Sequence, residues 1–343
     1  MAMDKSAADA YVYAKASGML ARSFVGPRAV QLFNVHSLKE LWSLLFTKDA
    51  PVVPEKLLAR ALESEAQRTF ISQYLSLISN YAKPDELLVA LLHQYDYNNI
   101  KQVGAALCFE EKDTPELVSI EPYNLISYDK WPDIALMTAD SPLAWYDTIP
   151  TIKEQQQRDY KIDCQFIREV WSAVRKTDSS CKDVVMQLIG DEFRMENILW
   201  ALRLRVYYKM GRDEIINHLA FVTDSRDETD PVAGEAMKIL DWEVDSYDAW
   251  KKWKYASYLN PHEEGVVWSI DPRWVYASSR KTYVDRARKL FHQFPFTVCP
   301  LVCWYIIKQN ELDTIRTASE GLRMSVDPVQ AMQFAGVTGE KNG

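Results

Sequence analysis

Glycine is scarce in this sequence: 11 of 343 residues, about 3%, against a usual ~7%. Tight turns, bulges and phosphate-cradling loops rely on glycine, because it alone takes positive φ without a Cβ clash. A chain this poor in it suits long helices with few sharp corners better than a barrel, a sandwich or a nucleotide-binding α/β fold. Spacing strengthens the point. No two glycines are separated by a single residue, so no GxGxxG exists, and neither GxxxxGK[ST] nor a GxSxG elbow occurs. These motifs depend on backbone geometry that other residues supply poorly. Hydrophobic residues make up 48% of the chain, which excludes disorder, and a chain of this length holds a core without disulfides.

The formal net charge is −8. That disfavours nucleic acid as a main partner, since phosphate binding is driven by clustered Lys and Arg. The five cysteines (Cys108, Cys164, Cys181, Cys299, Cys303) form no CxxC pair, and an odd, scattered set reads as reduced and intracellular. The opening MAMDKSAADAYVYAKA lacks the apolar core of a secretion signal. The longest uncharged apolar run, residues 294–307, has 14 residues and two prolines. It is too short to span a bilayer, which takes about 20 residues, and it predicts a buried core helix.

Helix signals dominate. Ser37 and Glu40 have capping-box spacing ahead of an apolar run. Pro54 suits the first turn of a long helix through residue 79, and Pro84 the opening of another. Further helices are predicted over 151–176, 181–210, 212–220, 246–259, 272–293 and 298–323. The proline-rich stretch 111–150 reads as a connecting segment with a short strand near Leu117–Ile120. One internal echo stands out. Tyr95–Ile100 and Phe193–Ile198 align without gaps at an offset of 98 residues, matching Asn99-Ile100 to Asn197-Ile198. A fainter third copy runs from Asn310 through Glu311, Thr314 and Ile315 to Arg316, 117 residues further on. The period is too long for a solenoid unit. It implies an approximate threefold repeat of a helical lobe over 10–110, 111–225 and 226–330, with 331–343 as a tail.

Candidate chemistry is sparse. The five histidines are far apart and form no HExxH. Cys299 and Cys303 share a helix face and offer half a metal site or a small apolar patch. Asp224, Asp227 and Asp230 recur every third residue, a spacing that can hold Mg²⁺ and a diphosphate, although Pro231 marks a loop. Trp250 and Trp253, flanked by Lys251, Lys252 and Lys254, suit core packing with a basic rim, single-stranded nucleic acid or a partner interface. Charge is unevenly placed: nine acids against two bases over 224–248, then nine bases against four acids over 251–289. Either block can be a solvated face or a docking surface that orients a partner. The residues singled out for the second role are Asp224, Asp227, Glu228 and Asp230, and Arg280, Lys281, Arg286, Arg288 and Lys289. No catalytic, cofactor or metal residue is assigned.

Three places carry a resemblance to a known family. They are the Tyr/Ala-rich opening of Tyr11, Tyr13, Ala14, Ala16 and Leu20; the elements Asn99-Ile100 and Asn197-Ile198, the latter followed by Leu202, Arg203 and Arg205; and the late run of Tyr305, Lys308, Glu311, Ile315 and Arg316 ending at Glu320-Gly321. In these the chain resembles the C subunits of archaeal and bacterial V/A-type ATPases, known as d subunits in the eukaryotic enzymes. The resemblance implies an all-α funnel of three similar lobes about a pseudo-threefold axis. It also implies a non-catalytic central-stalk connector without a cofactor, which couples the shaft subunits to the membrane proteolipid ring for ion translocation. Such a protein would be cytoplasmic, peripheral on the membrane through the ring. A helical scaffold or adaptor unrelated to rotary ATPases is the competing expectation, and a helical enzyme built on the three aspartates is a third.

Overall fold

The computed structural model describes residues 4–177, 180–263 and 265–337. In chain order the helices are α1 (Lys5–Arg22), α2 (Leu38–Leu45), α3 (Glu55–Ile78), α4 (Glu86–Cys108), α5 (Ile134–Thr138), α6 (Ile152–Lys176) and α7 (Lys182–Tyr208). There follow α8 (Arg212–Ile216), α9 (Gly234–Lys238), α10 (Tyr247–Trp250), α11 (Pro272–Gln293), α12 (Cys299–Arg323) and α13 (Pro328–Phe334). No β-strand forms among the described residues, as the scarcity of glycine predicts.

Caps set where several helices begin. Ser37 accepts the Glu40 amide at 3.2 Å, the expected half of the box. Glu40 reaches one residue further back than expected and accepts the His36 amide at 2.8 Å. Asp85, not Pro84, opens α4 by accepting the Leu87 amide at 2.9 Å. The Ser37 and Asp85 contacts each satisfy a donor that the first helical turn leaves orphaned.

The chain divides into two compact units. One is discontinuous, Met1–Lys83 with Glu243–Gly343, and the other is Pro84–Trp242. In the first, α12 packs antiparallel to both α3 and α11. Phe70 and Tyr74 of α3 stack on Trp304 at 5.7 and 5.9 Å between ring centroids. Arg280 of α11 meets Asp313 of α12 at 3.5 Å, so the hairpin turning at residues 294–298 runs antiparallel. A second cluster in this unit joins Leu32, Leu41 and Trp42 to Leu58, Leu62, Ile315 and Ala318. In the other unit α4 lies antiparallel to α6, tied by Glu86–Lys176 at 2.9 Å near one end and by Lys101 to Asp163 near the other. Its core gathers Ile100, Val103, Ile134, Met137, Tyr146 and Ile162. The fit is close at Gly104, where a Cβ would lie 2.1 Å from the Tyr146 hydroxyl.

Four local expectations are corrected. Leu117–Ile120 joins no ladder; its backbone is paired by a side chain of α4. The predicted helix 246–259 reduces to α10 and a 3₁₀ turn at Ala256–Tyr258. There the indole of Trp250 donates to the Glu243 carbonyl at 2.8 Å and the ring is wholly buried. Helix 212–220 stops at Ile216. The apolar run becomes helical only from Cys299, and Phe296 in the preceding turn is exposed. Trp250 and Trp253 are core residues rimmed by exposed Lys251, Lys252 and Lys254, the plainest of the three readings of that motif. Cys299 and Cys303 are fully buried with their sulfurs 3.8 Å apart. Among the described residues no cluster of His, Cys, Asp and Glu can hold a metal, and no helix is long and apolar enough to cross a membrane.

Candidate docking surface

The echoed asparagines do one job at two places. Asn99 is buried in α4, donates to the Val118 carbonyl at 2.8 Å and accepts the Val118 amide at 3.0 Å. Asn197 in α7 donates to the Ala220 carbonyl at 2.9 Å and accepts the Ala220 amide at 2.8 Å. A primary amide carries the donor and acceptor that a strand neighbour would offer. Each helix thereby fixes the backbone of one residue in the segment that follows it. Position 96 serves the same segment: the Asp96 carboxylate accepts the Leu125 amide and the Tyr128 hydroxyl. Burial pushes the Asp96 carboxyl up from its ordinary value, against these hydrogen bonds. Arg194, one repeat on, donates instead to the Pro231 carbonyl at 3.1 Å. Glu311, two repeats on, again accepts a backbone amide, that of Phe24, at 2.5 Å. It is buried beside Lys308, which also donates to the Ser23 hydroxyl at 3.0 Å. The isoleucines that follow, Ile100, Ile198 and Ile315, are all buried. Arg203 is half-buried on α7, and Arg316 is exposed between Glu63 at 3.4 Å and Asp313 at 3.7 Å.

The acidic segment is less uniform than its sequence. Asp230 is 3% exposed and accepts the amides of Val222, Thr223, Val232 and Ala233 and the Thr223 hydroxyl, so it braces the loop from inside. Asp224 is fully exposed and lies 3.5 Å from Arg168. Glu228 pairs with Arg212 at 3.1 Å, and the same guanidinium takes Asp241 at 2.5 Å. Asp227 closes its own turn through the Thr229 amide at 2.8 Å and the Thr229 hydroxyl, which hold its carboxyl below the usual carboxylate range. The three aspartates of the Asp-x-x-Asp-x-x-Asp pattern therefore do not converge: one points inward and two outward.

The basic residues converge further. Arg280, Lys281 and Arg288 line a groove of about 580 Å³ along α11. Asn310, Asp313, Thr314 and Thr317 of α12 form its second wall. Residues 24–27, 29–30 and 334–337 close it. Sequence reasoning missed this third wall; the signal available was Gly26-Pro27, a turn dipeptide. Gly26 has φ +59°, and a Cβ there would lie 2.6 Å from the Arg288 guanidinium, so the site needs glycine on both counts. Arg288 also meets Asp285 at 3.8 Å. Lys289 is exposed and Arg286 half-buried on the same helix, and neither lines the groove.

The residues described make a set of internal backbone clamps and a charged groove on a helical frame. The comparisons with known proteins agree with the frame. Residues 13–334 match the family described as the ATP synthase (C/AC39) subunit. A protein of Treponema pallidum (strain Nichols), described as uncharacterized, is 28% identical over 348 residues, covering 98% of each chain. With nearly its whole length matched, this chain belongs to the ATP synthase (C/AC39) subunit family.

Proposed function

We propose that this protein is the non-catalytic central-stalk connector of a rotary V/A-type ATPase, joining the rotating shaft to the membrane proteolipid ring and so coupling ATP turnover to ion movement. The family match over residues 13–334 carries this reading. An all-helical chain without a phosphate loop, with no helix able to cross a membrane among its described residues, is consistent with it. The protein would sit on the cytoplasmic face, held there by the ring. Its three lobes would be the approximate repeats 10–110, 111–225 and 226–330. The recurrence of one role, backbone held by Asn99 and Asn197 and backbone amides taken by Asp96 and Glu311, supports a repeated unit.

A connector must not slip under torque, so each interface has to be stable. A standard stable interface buries ~1,600 Å² in total, and charge complementarity fixes register and rejects wrong partners. Asp224, Asp227 and Glu228 on one segment and Arg280, Lys281, Arg286, Arg288 and Lys289 on the other are the proposed contacts with shaft or ring. The test is affinity purification from detergent-solubilised native membranes. Co-purification of proteolipid and shaft subunits is the expected result. Clean recovery of the protein with other partners and no rotor subunits would replace this reading with a scaffold or adaptor.

A further inference from the structure

We draw no further inference here: the strongest candidate, the exposed aromatic stripe of Trp200, Tyr207 and Tyr208 along α7, carries none because nothing in the structure shows what covers it.

Discussion

Asn197 shows how much one side chain can organise. It bonds both polar groups of the Ala220 peptide and also donates to the Val232 carbonyl at 3.1 Å. Asn197→Ala removes all three contacts and leaves buried groups unpaired, each costing about 1–3 kcal/mol. We expect a loss of about 2–4 kcal/mol by urea titration, and an Asn197→Asp variant that does not recover it, because a carboxylate has no N–H to give. Asp96 makes a different prediction. Its carboxyl is pushed up by burial, so between the usual carboxylate pKa and its own the folded state holds a proton that the unfolded chain has lost. Stability is therefore greatest below that window and falls as pH rises through it. Asp96→Asn cannot ionise but still accepts the Leu125 amide. Its stability should fall less than the wild type's on going from about pH 4 to pH 6; an unchanged difference across that range would refute the assignment.

At the scale of elements, α12 is tied to the end of α1 by a buried polar cluster. Lys308 pairs with Glu311, Lys308 bonds Ser23, and Glu311 takes the Phe24 amide. A buried pair costs most when only one partner is removed. Lys308→Met should destabilise by about 3–5 kcal/mol, while Lys308→Met combined with Glu311→Leu should cost less than the single change, as measured by thermal or urea unfolding. The spacing of Lys308 and Glu311 on one helix face was legible in the sequence. Their burial was not, because nothing local shows that the exit of α1 closes over them. Helix ends tell the same story. Ser37 acts from within a turn and is legible as half of a capping box. Asp85 acts just as locally, yet the sequence points to the proline before it as the opener. Helix α10 is short because Trp250 and Trp253 turn into the core.

At the scale of the molecule, the first unit is made of two chain pieces and the second of one. The continuous unit, residues 84–242, has its own core around Ile100, Tyr146 and Ile162. We expect it to fold alone with cooperative urea unfolding. Residues 1–83 and 243–343 should acquire stable helicity by circular dichroism only when mixed, because α3 and α1 bury their apolar faces on α12. Stable folding of either piece by itself would contradict this. Charge also reads differently here. The run of nine acids over 224–248 is in part held by Arg168, Arg212 and turn amides, while three bases of the basic run, Arg280, Lys281 and Arg288, line a groove that they share with Asp285 and Asp313.

The sequence by itself determined the helical class, the absence of a nucleotide loop, the bounds of the long helices α3, α6, α7, α11 and α12, the paired asparagines and the family resemblance. Each depends on short-range pattern: glycine spacing, capping residues, apolar periodicity and repeated motifs. Only the tertiary structure decided what Asn99 and Asn197 hold, that Asp230 points inward, and that Gly26, Arg288 and Thr314 meet at one groove. Those outcomes are set by contacts between residues far apart in the chain, such as Gly26 with Arg288, and no local pattern encodes which distant backbone a buried side chain will find.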